Sequence, residues 1–176
     1  MKKKMMAAVL TMAMAVAAMA GCGSNSASND AATTEKAAAD GKVYKVGIVQ
    51  YVDDASLNQI EKAVEAELDA KAKELGVTFD YKDYTYNGQA DSSTLNQIAT
   101  DLVAEDVDVI IPIATPTAMI MQAATEENQI PVVFSAVSDP VTAGLVESMD
   151  KPGSNITGTS DALNTEAVMD LSLIHI

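Results

Sequence analysis

The stretch that most constrains this chain is Val107 to Pro140, VDVIIPIATPTAMIMQAATEENQIPVVFSAVSDP. Residues Val107 to Ala114 are nearly all apolar and rich in Val and Ile, the pattern of a strand covered on both faces of a parallel sheet. Thr115 suits a helix N-cap, and Pro116 suits the first helical position, where its missing N–H costs nothing. The spacing predicts a helix running through Thr117 to about Glu127, closed by Asn128 in a left-handed conformation. Ile130 to Phe134 is a second buried strand, running into Ser135-Ala136-Val137-Ser138-Asp139-Pro140. Two successive strands therefore deliver polar turns, each with a capping residue before a proline, to one edge of one sheet. Ligands bind at the carboxyl edge of open α/β sheets, where helix N-termini present free N–H groups and a positive dipole end. The plainer alternative is that these residues only make good caps, and the pattern alone weighs the two about evenly.

Charge narrows the partners. The chain carries 11 Lys, no Arg and 25 acidic residues in 176, a net charge of -14. Such a surface argues against nucleic acid and against an anionic membrane face. Without Arg there is no bidentate clamp for an anion, so a carboxylate must be held by backbone N–H groups, hydroxyls or Lys.

The first forty residues read as targeting and tether. Lys2, Lys3 and Lys4 precede an apolar run to Ala20 that is short and Ala-rich for a membrane-spanning helix. Met19-Ala20-Gly21-Cys22 resembles the bacterial lipobox, with Met where Leu is usual. Cys22, the one Cys of the chain, fits a lipid anchor better than a disulfide or a metal ligand. Residues 1–21 are thus expected to be a lipoprotein signal peptide, and removing them leaves eight Lys against 25 acids. Residues 22–41, the lipidated Cys and a Ser/Ala/Asn/Thr-rich stretch, hold too little apolar surface to fold and read as a flexible tether.

The remainder reads as α/β. Lys42 to Gln50 is a first strand. Ser56 with Gln59 makes a capping box for a helix whose Leu57, Ile60, Val64, Leu68, Ala72 and Leu75 share one face, ended by Gly76. Val77 to Tyr86 is a second strand placed near a sheet edge. After the turn Asn87 to Ser92 comes a helix with Leu95, Ile98, Ala99, Leu102 and Val103 on its apolar face. With the central stretch this gives βαβαβαβ, a doubly wound parallel sheet with right-handed crossovers. Val141 to Met149 is expected to form a short helix, Ile156 to Ser160 a short strand or crossing segment, and Asn164 to start a last helix. That helix gives way to an apolar tail carrying the one His, His175. The tail reads as a truncated reading frame whose last six or so residues are foreign to the natural protein.

These motifs are specific enough to carry a resemblance. The segments VGIVQYVDDASLNQIEKAVEAEL, Gln89 to Ala104, IPIATPTAMIMQAA and IPVVFSAVSDPVTAGLVESMDKPGSNITGTSD resemble the extracytoplasmic substrate-binding lipoproteins of ABC importers, the tryptophan/tyrosine branch, and together span Val43 to Asp161. The family usually carries a His-Pro pair where this chain has Asp54-Ala55. The resemblance implies a periplasmic-binding-protein-like fold of two α/β lobes with the ligand closed between them. Residues 42–155 would be the first lobe, and 156–176 the crossover and start of a second, C-terminally truncated lobe.

On that footing the resemblance implies a receptor lipid-anchored at the extracytoplasmic face of the cell membrane. It would deliver a small amino-acid-like ligand, an aromatic amino acid on this branch, to an ABC permease, with no cofactor. Thr115, Thr117 and the N–H groups beside them would hold the ligand carboxylate, Asp139 its ammonium, and Ser135 would assist. Asp53, Ser56, Gln89, Asp91 and Ser92 line the neighbouring turns, and Tyr51 is placed to stack on a ligand ring. Each of these also has a plain reading as a cap, a turn former or rim packing. Two other functions stay open. One is a sensor ectodomain of the same fold, although sensors usually carry a transmembrane helix. The other is an anchored hydrolase, against which stand the lack of a G-x-S-x-G elbow, of a metal-spaced His/Cys/carboxylate set and of any His outside the tail.

Overall fold

The computed structural model describes residues 41–162. The leader, Cys22, nearly all of the tether and the helix expected from Asn164 lie outside the described residues. Six strands form one sheet: β1 (Val43–Gln50), β2 (Thr78–Asp80), β3 (Thr85–Asn87), β4 (Val109–Ile113), β5 (Val132–Val137) and β6 (Ile156–Ser160). Three helices connect them: α1 (Ala55–Leu75), α2 (Ser92–Ala104) and α3 (Thr115–Thr125). The strand order is β2-β1-β4-β5-β6, with β3 also paired to β1. Every pairing is parallel, so the fold is the doubly wound α/β sheet expected from the apolar runs. The chain leaves β1 toward β2 and β3, then returns past it to β4. The junction between β1 and β4 is therefore the switch point of the sheet.

The two faces are covered unequally. On one, α2 and α3 bury Leu95, Ile98, Leu102, Ala118 and Met121 against Val49, Ile110, Val132, Phe134 and Ile156. Gly47 and Gly158 permit this packing: a Cβ on Gly47 would lie 3.0 Å from the Leu102 methyls, and one on Gly158 2.1 Å from the Phe134 carbonyl oxygen. On the other face α1 lies over a small cluster of Val46, Ile48, Tyr81 and Ile113. Its Leu57, Ile60, Val64 and Leu68 point at the sheet as expected, yet no residue of α1 is fully buried, and Leu75 remains 50% exposed. An apolar hollow of about 340 Å³ lies along its flank, lined by Val64, Leu68, Leu75, Phe79 and Ile111.

Several local expectations need correction. The single strand Val77 to Tyr86 is two short strands with a 3-10 turn, Lys82–Tyr84, between them. Tyr81 breaks it by turning inward, where its hydroxyl donates to Asp69 Oδ1 at 3.1 Å and its carbonyl accepts from Thr85 Oγ1 at 2.8 Å. Its edge position is as expected. Helix α1 is capped by Asp54, whose Oδ1 accepts from the Ser56 N–H at 2.8 Å, so Ser56 is already helical and makes no capping box. The left-handed residue after α3 is Gln129 (φ 59), because Asn128 uses its Oδ1 to accept the Ile130 N–H at 3.0 Å. Val141 to Met149 forms turns and no helix: Gly144 at φ 74 stops the coil after one turn, and Leu145 and Val146 drop into the core.

Candidate functional site

Parallel strands send all their following loops to one edge. Asp53 and Ser56 follow β1; Gln89, Asp91 and Ser92 follow β3; Thr115 and Thr117 follow β4; Ser135 lies in β5 and Asp139 follows it. The nine candidate contacts drawn from these turns therefore lie toward the carboxyl edge of the sheet, as does half-buried Tyr51 directly after β1.

The start of α3 is its least satisfied part. Thr115 is not the N-cap; it is already helical, and the cap position falls on Ala114 at φ 85, ψ 153, with no side-chain cap. That backbone region is close to glycine-only. Ala114 is held there because its N–H donates to the Ser135 carbonyl at 3.0 Å while its own carbonyl accepts the Ala118 N–H at 3.1 Å. The first amides of α3 consequently lack the oxygen that a Thr or Asp cap would bring. Thr117, in that first turn, is fully buried, and its Oγ1 is the one buried side-chain N or O atom among the described residues without a hydrogen-bond partner. Helical side chains lean toward the preceding turn, so this hydroxyl sits beneath the uncapped end. Ser135, half-buried, lies opposite Ile113 in the pairing of β4 with β5.

Elsewhere along the edge the acids are occupied. Asp91 Oδ1 caps α2, accepting from the Thr94 N–H at 2.7 Å and its hydroxyl at 2.9 Å; these bonds hold its carboxyl below the usual carboxylate range. Asp139 is exposed, its Oδ1 accepting the Thr142 N–H at 2.9 Å. Hydrogen bonds from the Thr142 side chain and backbone likewise lower its pKa. Asp54 caps α1, as described. Gln89 and Ala90 are both left-handed, at φ 53 and 55, in a turn tied to the first strand by Gly88 N–H to Gln50 O and Ala90 N–H to Tyr51 O, each 2.8 Å. Gln89 and Ser92 are exposed at its surface.

One residue at this edge escapes a reading built on loops. Gln50, the last residue of β1, is only 2% exposed. Its Nε2 donates to the Val52 carbonyl and, at 2.7 Å, to Asn58 Oδ1. Asn58 Nδ2 in turn donates to Asp53 Oδ1 at 2.8 Å. A polar amide ending an apolar strand, VYKVGIVQ, is the signal that could have found it. Close by, Glu61 has its pKa raised, first by burial and then by Glu65, with Asp53 adding to the rise and Lys62 opposing it.

Other hollows lie away from this edge. Two, of about 310 and 450 Å³, flank Gln129 and Asn155 at the amino ends of β5 and β6. Asn155 is structural there, donating to Thr125 Oγ1 at 2.9 Å and the Ile130 carbonyl at 2.7 Å. Among the described residues no group of three His, Cys, Asp or Glu could hold a metal ion, and no helix is long and apolar enough to cross a membrane.

Known proteins share this arrangement. Residues 45–175 match the family model for ABC transporter substrate binding proteins. A tyrosine-binding protein of Clostridioides difficile is 36% identical over 172 residues, covering 96% of this chain and 48% of the relative. The chain thus spans about half the length of that curated relative. Among solved structures, a conserved domain protein from Vibrio cholerae is 38% identical, with a TM-score of 0.66 over 74% of this chain and 43% of the other. An ABC domain from Streptococcus pneumonia in complex with L-Trp is 34% identical, TM-score 0.61, over 69% and 39%. A ligand-free, open substrate-binding protein with adhesive properties from Clostridium difficile is 33% identical, TM-score 0.59, over 74% and 43%. With the parallel sheet, the switch point and a family match over most of its length, this chain belongs to the ABC transporter substrate-binding proteins.

Proposed function

We propose that this chain is the ligand-binding part of an ABC importer's solute receptor and takes a free amino acid, aromatic in side chain, at the carboxyl edge of its sheet. The observation that carries the reading is the start of α3. Free amides at the positive end of a helix, above a buried hydroxyl with no partner, are chemically matched to a carboxylate. The ring would lie against half-buried Tyr51 beside the switch point, and Ser135 would assist from β5. Relatives described as tyrosine-binding and as bound to L-Trp support the ligand class. In the two-lobed arrangement implied by the resemblance, a second lobe closes over this edge and excludes water. Lipidation at Cys22, exposure of the domain outside the cytoplasmic membrane and delivery to a membrane permease belong to the same reading.

The test is a thermal-shift screen of the twenty amino acids on the complete two-lobed protein. A ligand present at about a hundred times its dissociation constant stabilises its receptor by roughly 2.7 kcal/mol. Tyrosine, tryptophan or phenylalanine is expected to raise the melting temperature most. The absence of a shift with every amino acid refutes the reading.

A further inference from the structure

Apart from Tyr81, three polar side chains are buried among the described residues: Gln50, Thr117 and Thr125. Thr125, at the far end of α3, is fully employed. Its hydroxyl donates to the Met121 carbonyl at 2.9 Å and accepts from Asn155 Nδ2 at 2.9 Å. The other two have capacity to spare, and both belong to the carboxyl edge. Thr117 stands beneath the start of α3, and Gln50 ends β1. Gln50 spends both hydrogens of its Nε2, on the Val52 carbonyl and on Asn58 Oδ1, while its Oε1 accepts no hydrogen bond from any described residue.

The orientation of this amide is fixed by its neighbours. A carbonyl only accepts, so the group facing Val52 is the NH2. The Asp53 carboxylate also only accepts, so Asn58 turns its Nδ2 toward it, at 2.8 Å, and offers its oxygen to Gln50. Both constraints demand the same orientation of Gln50, with Oε1 left over. A buried polar residue with an unused acceptor calls for an explanation. Thr117 Oγ1 is the one unpartnered side-chain atom sealed from solvent among the described residues, so Gln50 Oε1 reaches solvent although the residue is only 2% exposed. At this level β1 is flanked by Asn87 of β3 and Ile113 of β4, and Asn58 of α1 holds the amide from above. The way out that remains is past the end of the strand, at the switch point where open α/β sheets bind ligands.

We propose that Gln50 Oε1 accepts a hydrogen bond from the ligand's ammonium group and so helps the site select α-amino acids over the corresponding acids lacking the amine. The relay behind Gln50 favours a cation. Hydrogen bonds in series polarise one another: the Asp53 charge makes the Asn58 oxygen a stronger acceptor, and the bond from Gln50 to that oxygen does the same for Oε1. The assignment rests on the reading of this edge as an amino-acid site. An acid such as Asp139 can still supply a counter-charge; Gln50 supplies a fixed direction. Asn58 and Asp53 act through Gln50 and are positioning residues.

The experiment is isothermal titration calorimetry on the complete two-lobed protein, the weaker ligand being measured by displacement. The probes are L-tryptophan and indole-3-propionate, which has the same ring and a carboxylate but no ammonium. The unsubstituted protein should bind L-tryptophan more tightly. Gln50→Met, which keeps the length of the side chain and removes its oxygen, should weaken L-tryptophan about tenfold, the worth of one hydrogen bond to a charged group, and leave the analogue unchanged. Asn58→Leu, which leaves Gln50 in place but unfixed, should cost less with the same selectivity, and it carries the test alone if Gln50→Met does not fold. Equal weakening of the two probes marks a structural role or a contact with the ring, and overturns the assignment. So do equal affinities of the unsubstituted protein for both probes, or an unchanged affinity of Gln50→Met for L-tryptophan. Binding of neither probe to the unsubstituted protein overturns the amino-acid reading of the edge and the assignment with it.

Discussion

Thr117→Val separates stability from binding at the start of α3. Thr117 is wholly buried and its hydroxyl is unpartnered. Mutational data put the cost of a buried, unbonded hydroxyl at about 1–3 kcal/mol. Valine replaces that hydroxyl with a methyl of similar size and keeps the β-branch, so the χ1 restriction in the helix is unchanged. The substitution should therefore stabilise the fold by about 1 kcal/mol or more, raising the melting temperature by roughly 3–6 °C for a domain of this size. The same change removes a donor and acceptor from the carboxylate site. If the hydroxyl serves the ligand, affinity for the amino acid falls by roughly five- to tenfold, the worth of one neutral hydrogen bond. Thr117→Ser is the control: it keeps the hydroxyl, gives up a methyl in the core and loses about 1 kcal/mol while retaining affinity. Melting followed by circular dichroism, together with an amide-shift titration, reads both quantities. A lower melting temperature for Thr117→Val shows that the hydroxyl is bonded in the native protein. Unchanged affinity shows that it has no part in binding. Either result refutes the reasoning.

Other substitutions test the surrounding architecture. Ala114→Gly should stabilise by about 1 kcal/mol, because a non-glycine residue in this backbone region costs about 1–3 kcal/mol, offset partly by glycine's own chain entropy; urea unfolding measures it. Gly88→Ala should destabilise by about 1–3 kcal/mol through overpacking, since the added Cβ would lie 2.3 Å from a Leu95 methyl, and a lower urea midpoint is the readout. Asp91 and Asp139 have folded pKa values held below their ordinary value by cap hydrogen bonds. Their contribution is present above the unfolded carboxylate value of about 3.9 and is lost as pH falls through the folded values. Asp91→Asn, which keeps the cap and removes the titration, should flatten the fall of melting temperature below about pH 4.

The strands and helices of this fold were legible wherever a residue's environment is set by its immediate neighbours. The apolar runs of β1, β4 and β5 and the helical spacing of Leu95, Ile98 and Leu102 announce themselves within a few residues. What stayed hidden depends on distant partners. Tyr81 turns inward and splits an expected strand because Asp69, twelve residues earlier on α1, accepts its hydroxyl. Ala114 takes the cap position from Thr115 because the Ser135 carbonyl, on the next strand, holds it there. A residue pinned in left-handed backbone by a neighbouring strand leaves no local pattern. At the site, the edge and the positions of the nine residues followed from strand direction alone. Which aspartates cap a helix or turn and which stand free did not, because a cap and a ligand contact call for the same residue type. Gln50 reads locally as an ordinary strand residue, although an amide ending an apolar strand has to bond to something.

The thin docking of α1 carries a consequence for how tightly the site can hold anything. A helix of 21 residues with none fully buried opens at lower free energy than the core beneath α2, and its amides should exchange with solvent first. Asn58, which fixes the Gln50 amide, lies in its first turn. Apparent affinity is then the intrinsic affinity scaled by the fraction of molecules with α1 docked. Leu68 or Leu75, well along the helix from any ligand, would thereby act as a gain control on the receptor, and bound amino acid would slow exchange along the whole of α1.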